Sequence, residues 1–182
     1  PVTSVTLPTT VYRIKDYAFT GSSLIDVSIP DSVTQIGEGA FSGCCSLTSV
    51  SIPGSVHVVS DFAFSRCDML TRVTISAGVS SLGIEAFSSC YALTEVTLPV
   101  SVTQIGDGAF AYCYALTGMT IPAGVTQIGE DVFDYCQALA GITVASANSV
   151  YASLDGVLYD KDFTVLILCP RSRTGSVAIP TV

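Results

Sequence analysis

The sequence predicts a repeat solenoid: short parallel β-strands joined by extended and 3₁₀ or helical segments, with about 23 residues to the turn. Three observations predict it. The Phe of each A-F or V-F pair recurs at Phe19, Phe41, Phe64, Phe87, Phe110 and Phe133, at intervals of 22, 23, 23, 23 and 23 residues. Three residues after each of the last five stands a cysteine: Cys44, Cys67, Cys90, Cys113 and Cys136. Three further on comes a leucine, from Leu47 to Leu139, and then a V-x-I-like step, from Val50/Ile52 to Ile142/Val144. Columns held in phase over this length are the mark of a stacked array.

Each piece of the unit has its own physical reading. L-x-x-V-x-I alternates apolar with Ser or Thr, which is the period of a strand with one buried face. Pro30, Pro53, Pro99 and Pro122 end these strands, because proline has no N–H for the next ladder bond. V-T-Q-I-G is a second extended piece, closing on Gly37, Gly83, Gly106 or Gly129. The third, such as Glu38–Ser42, is too short for an independent helix and reads as one helical or 3₁₀ turn. A unit this small cannot bury its own apolar face, but stacked copies can, with strands about 4.8 Å apart. Phe41, Phe64, Phe87, Phe110 and Phe133, with Cys67, Cys90, Cys113 and Cys136, are the expected structural core.

The pattern L-x-x-V-x-I-P-x-x-V-x-x-I-G-x-x-A-F-x-x-C resembles the BspA-like, or Treponema pallidum-type, class of leucine-rich repeats. The resemblance covers residues 2–144 as consecutive turns, giving a first region of 1–144. Its departures are small: a first turn one residue short, Ser22 or Ser23 in place of its cysteine, Ser76 and Ala145 in place of prolines. Residues 145–182 form a variant repeat of the same solenoid, carrying an insertion. Asp155-Gly156, between Val150–Leu154 and Val157–Tyr159, predicts a β-hairpin protruding from the coil. Val165–Leu168 and Val177–Ile179 are expected to rejoin the stack afterwards. The resemblance implies a cell-surface or secreted protein that contacts other proteins.

Composition narrows the function. Apolar residues make up 49%, which excludes disorder. Seven Lys and Arg against 15 Asp and Glu give a net charge of −8, which argues against nucleic acid and anionic membranes as partners. No apolar run approaches the roughly 18–20 residues of a membrane-spanning helix. His57 stands alone where other turns have Thr34, Ser80, Thr103 and Thr126, and no G-x-S-x-G, H-E-x-x-H or phosphate loop is present. Neither catalysis nor a cofactor is expected.

Four features could carry binding chemistry. Zinc needs converging C-x₂₋₄-C pairs, and a disulfide needs Cβ vectors aimed at each other; a parallel cysteine column offers neither, so its thiols read as buried and reduced. Glu38, Asp61, Glu85, Asp107 and Glu130 recur at the start of the third piece and could line up for Ca²⁺, but the simpler role is capping backbone N–H groups. Thr74, Thr97, Thr120 and Thr143 make an outward strand face open to a glycan or protein, though β-branched residues suit any solvated strand. Tyr91, Tyr112, Tyr114 and Tyr135 flank the cysteine column and form the candidate binding patch, unless they merely pack over the corner of the coil.

Two functions therefore compete. One is a non-enzymatic interaction or adhesion module with a protein or glycan ligand. The other is a structural protein whose solenoids assemble head to tail into a fibre. Val2 enters in mid-repeat and Pro180-Thr181-Val182 stops just past an expected strand, so start and stop are out of phase. That arrangement predicts an excerpt of a longer array, or ends covered by neighbouring copies.

Overall fold

Each turn of the chain contributes two short strands, and each strand pairs in parallel with its counterpart one turn away. The structure, a computed structural model, describes residues 2–177. The first series comprises Ser4–Thr6, Asp26–Ser28, Ser49–Ile52, Arg72–Ile75, Glu95–Thr97, Gly118–Ile121 and Gly141–Val144. Its ladder is interrupted between Ser28 and Ser49 and again between Thr97 and Gly118. The second series is one continuous six-stranded sheet: Arg13–Ile14, Gln35–Ile36, Val58–Val59, Ser81–Leu82, Gln104–Ile105 and Gln127–Ile128. Register follows the repeat, with Val50 opposite Val73 and Ile36 opposite Val59. Alternation places Val50 and Ile52 inside and Ser49 and Ser51 outside, as the sequence pattern requires.

The core is a set of columns running along the stack. Phe41, Phe64, Phe87 and Phe110 are fully buried, and Phe133 nearly so. Their ring centroids follow one another at 5.1, 5.5, 5.6 and 6.0 Å, with planes within 9° of parallel. Beside them each cysteine turns its thiol to the Phe carbonyl of the preceding turn. Cys67, Cys90, Cys113 and Cys136 donate to Phe41, Phe64, Phe87 and Phe110 at 3.2–3.3 Å. Ser22 holds this position in the first turn, with its Oγ 3.2 Å from Cys44 Sγ.

The expected helical or 3₁₀ turn does not form. Residues 37–44 show why. The N–H groups of Gly39, Phe41 and Gly43 donate to Asp61, Ala63 and Ser65 in the next turn of the coil, at 2.8–3.0 Å. Those of Ala40, Ser42 and Cys44 close tight turns on Gly37, Gly39 and Phe41. A helix would direct every N–H back along its own chain, whereas this conformation gives every second one to a neighbour. It needs two left-handed residues per turn, at Gly39 and Gly43 here. Elsewhere those places hold Phe62 and Arg66, Glu85 and Ser89, Gly108 and Tyr112, and Asp131 and Tyr135, all with φ between 49° and 61°. A side chain in that region costs about 1–2 kcal/mol, part of which glycine returns through its larger unfolded-state entropy. Arg66→Gly is therefore expected to match or exceed the parent's stability by up to about 1 kcal/mol, read from the urea midpoint. A loss of similar size would contradict the left-handed assignment.

After the last full turn the chain makes a different sheet. Tyr151–Leu154 and Val157–Asp160 pair antiparallel across Asp155 (φ 51°) and Gly156 (φ 79°), the two positive values of a type I′ hairpin. The hairpin does not protrude. Gly156 accepts a hydrogen bond from Ile142 N–H at 2.9 Å, and Val157, Leu158 and Tyr159 are buried. It lies across the end of the stack and covers the core columns there. Asn148 anchors it, fully enclosed, with all four of its side-chain hydrogen bonds made to backbone groups.

Val165–Leu168 also departs from expectation. Leu166–Leu168 pairs antiparallel with Val157–Asp160 instead of rejoining the parallel stack. The reason is local: Asp160 Oδ1 accepts from Thr164 and Val165 N–H at 2.7 and 2.9 Å, closing a loop that returns the chain beside the strand it has just left. Val165, Leu166 and Ile167 are left exposed. Of the expected Val177–Ile179 strand, residues 178 and 179 lie outside the described residues.

Candidate functional site

Backbone geometry puts the tyrosines on the surface. Tyr112 and Tyr135 occupy left-handed positions just before the buried Cys113 and Cys136, so the chain turns each ring outward while anchoring the next side chain inside. Tyr91 and Tyr114 follow Cys90 and Cys113. All four rings are about 40% exposed, from 38% to 42%. They are not isolated. Tyr112 stacks on Tyr135 at 4.7 Å and Tyr91 on Tyr114 at 5.1 Å, while Tyr112 meets Tyr114 edge-on at 6.4 Å. The result is one aromatic surface spanning three turns. Desolvation, followed by Tyr135 and Asp134, raises the Tyr112 hydroxyl above the ordinary tyrosine value, so at neutral pH it is an uncharged hydrogen-bond donor.

The threonine face is less continuous than the repeat implied. Thr74 lies opposite Thr97 and Thr120 opposite Thr143, all exposed. The break in the first strand series falls between Thr97 and Thr120. Beside the first pair, Arg72 and Glu95 make an exposed ion pair at 3.0 Å, which contributes little stability in water.

Of the expected acidic row, Asp61 and Asp107 cap backbone groups between turns, whereas the Glu38 carboxylate accepts from the Tyr17 hydroxyl and Glu130 takes part through its backbone N–H. Asp16, Asp61 and Asp107 each accept an N–H from the following turn, from Glu38, Ile84 and Glu130 at 2.7–3.1 Å. Glu85 sits one position later, at the left-handed residue, and is not part of that row. In that turn Ile84 holds the row's position. His57 points its Nδ1 at the Gly78 carbonyl, 3.1 Å away. Among the described residues no three His, Cys, Asp or Glu side chains converge as metal ligands.

All seven cysteines are free, with the five column thiols buried and Cys45 and Cys169 exposed. Burial pushes Cys136 up to about 12 and also raises Cys90 and Cys113. Alkylation of the native chain at neutral pH is expected to label Cys45 and Cys169, and all seven once the chain is unfolded. Prior reduction changes neither count. Desolvation and the Asp68 carboxylate raise the Cys45 thiol, so its labelling rate should still be climbing as pH passes 9.0. Linked Cys67–Cys90 or Cys90–Cys113 peptides in mass spectra would contradict this picture.

A cleft of about 490 Å³ opens where the last turn meets the terminal sheet, its apolar floor including Leu139, Leu158, Ile167 and Leu168. It adjoins a shallower depression of about 340 Å³ beside Tyr112, and Glu130, Asp131 and Asp134 line both. Sequence patterns did not reveal the cleft, because one wall is the strand that left the repeat register.

Comparison with known proteins follows the same lines. Residues 1–117 and 59–153 match the BspA type leucine rich repeat region, in six copies. No curated protein matches the chain. A leucine rich cell surface protein from Faecalibacterium prausnitzii is 41% identical with a TM-score of 0.75, over 88% of this chain and 43% of that one. The pneumococcal vaccine antigen PcpA is 26% identical with a TM-score of 0.70, over 98% of this chain and 39% of its own. The leucine rich repeat protein of T. pallidum is 27% identical with a TM-score of 0.59, over 76% and 57%. This chain spans about two fifths of the length of the first two.

Proposed function

This chain belongs to the BspA-type leucine-rich repeat family, and from that premise we propose that it is a non-enzymatic protein-interaction module of a cell-surface or secreted protein. The observation that carries the reading is the exposed tyrosine surface of Tyr91, Tyr112, Tyr114 and Tyr135. Phe and Cys side chains are occupied inside the coil, and the Asp row caps backbone groups. The tyrosines are left over. Rings held by stacking lose little conformational freedom when a partner covers them, and their hydroxyls supply polar contacts at the rim. The names of two relatives, a cell surface protein and a vaccine antigen, support a location outside the cell.

The test is a panel of purified extracellular-matrix proteins and of glycans, probed with the parent chain and with the Y91A/Y112A/Y114A/Y135A variant. The reading expects saturable binding to at least one protein, weakened at least about tenfold in the variant, since aromatic anchors dominate such interfaces. Binding to glycans alone, or binding indifferent to the four substitutions, would overturn it.

The fibre reading has one observation in its favour. Among the described residues Leu166–Leu168 is an edge strand with Leu166 and Ile167 exposed, and such edges invite pairing between copies. Against a head-to-tail stack, the terminal sheet covers the columns that the next copy would extend. Electron microscopy of concentrated protein separates the two readings: filaments favour the fibre, isolated short arcs the module.

A further inference from the structure

The tyrosine stack already holds one guanidinium. Arg171 lies with its central carbon 5.0 Å from the centroid of the Tyr135 ring, and its Nη2 is 3.6 Å from Asp134 Oδ1. The order along the stack is thus Tyr112, Tyr135, Arg171. The opposite end is open. One turn before Tyr112 the same column holds Ser89, whose side chain is too short to cover a ring. Beside Tyr112 lies the 340 Å³ depression, lined also by Glu85, Asp107, Asp131 and Asp134 and by no basic residue. Among the described residues, Glu85 and Asp131 take part in no ion pair.

We propose that the uncovered face of Tyr112, with Glu85 beside it, is a subsite for an arginine side chain of a protein partner. It repeats at the near end of the stack what Arg171 and Asp134 do at the far end. A guanidinium is planar, weakly hydrated and fork-shaped, so it can lie on an aromatic face while donating sideways to a carboxylate. An ammonium is strongly hydrated and cannot do both as well. The net charge of −8 would draw a basic segment toward this surface. The proposal rests on the tyrosine surface being a protein-binding face.

The test uses the full chain, isotopically labelled, titrated with the peptide Ac-Gly-Arg-Gly-Arg-Gly-NH₂ and its lysine and citrulline counterparts. Citrulline keeps the shape and removes the charge. Saturable shifts are expected around Glu85, Ser89 and Tyr112 with arginine, weaker ones with lysine, and none that saturate with citrulline. Y112A and E85Q, with amide spectra still dispersed, should each weaken binding roughly two- to fivefold, the size of an exposed cation–π or ion-pair contact. R171A frees the second ring face and should raise the number of bound arginines from one to two.

Equal binding of the citrulline peptide would overturn the subsite. So would shifts spread over all the acidic surface and indifferent to Y112A, which is general electrostatic attraction. If the protein panel responds to the four tyrosine substitutions while the arginine peptide does not bind, the interaction module stands and this subsite falls. If neither responds, both fall.

Discussion

Phe87→Ala is expected to lower the stability of the folded chain by about 3–5 kcal/mol, the usual cost of emptying a buried aromatic site. Phe87 is fully enclosed, with Phe64 5.5 Å away on one side and Phe110 5.6 Å away on the other. The surrounding backbone is held in cross-turn hydrogen bonds, from Phe87 N–H to Ala109 and from Phe64 N–H to Ala86, both at 2.9 Å. Those bonds fix the spacing of the turns, so the neighbours cannot close the cavity. Equilibrium urea unfolding checks the magnitude, with the slope compared to exclude a change of unfolded state. A cost below about 1 kcal/mol would mean that the column can collapse and that the ring stack does not set the turn spacing.

Asn148→Leu is expected to be of similar size, for a different reason. The amide nitrogen of Asn148 donates to the carbonyls of Pro122 and Val125, both at 2.9 Å. Its Oδ1 accepts from Val150 and Tyr151 N–H at 2.9 and 2.7 Å. Leucine has the same branched shape but bulkier methyl groups, and it leaves two carbonyls and two amides unpaired in a dry site. At the low end of about 1 kcal/mol for each unmade bond, the loss is on the order of 4 kcal/mol. The damage should centre on the hairpin and the sixth turn, which Asn148 ties together. Asn148→Asp should be no milder, since it keeps both acceptor contacts but sets a carboxylate oxygen against the Pro122 and Val125 carbonyls in the same buried site. A stability loss for Asn148→Leu within experimental error would show that water reaches these groups.

The contrast between the two residues shows what the sequence made legible. Phe87 belongs to a column, and a column announces itself by its interval, so the core, the strand alternation and the Asp155-Gly156 hairpin could all be read in advance. Asn148 occurs once. Its role depends on carbonyls 23 and 26 residues away that only the folded coil brings together. The left-handed positions were half visible: Gly39, Gly43 and Gly108 mark them, but Phe62, Arg66 and Tyr112 fill the same places and hide the pattern. The helical expectation failed because local propensity says nothing of cross-turn hydrogen bonds, which exist only once the neighbouring turn is present. Val165–Leu168 was misplaced because its apolar run suits a core strand, and only the Asp160 loop redirects it.

The candidate site was legible as a set of residues but not as a surface. Spacing alone placed Tyr112 and Tyr135 one turn apart. That the rings stack, meet the Tyr91–Tyr114 pair edge-on and end on Arg171 depends on χ angles and on the path of residues 169–171 after the terminal sheet. The sequence offered both the tyrosine patch and the strand face of Thr74, Thr97, Thr120 and Thr143, with the tyrosines somewhat the stronger. The strand ladder that carries the threonines breaks after Thr97.

Residue-resolved hydrogen exchange, measured on the parent chain, on Phe87→Ala and on Asn148→Leu, tests most directly whether the molecule is a linear stack in which each turn depends on its neighbours. In such a stack Phe87→Ala should reduce protection most in residues 61–113 and progressively less toward either end. Asn148→Leu should reduce it from the sixth turn through the terminal sheet and leave the first three turns unchanged. Two separate zones of lost protection are the predicted result. A uniform loss along the whole chain in both variants would show a single cooperative globule and contradict the account.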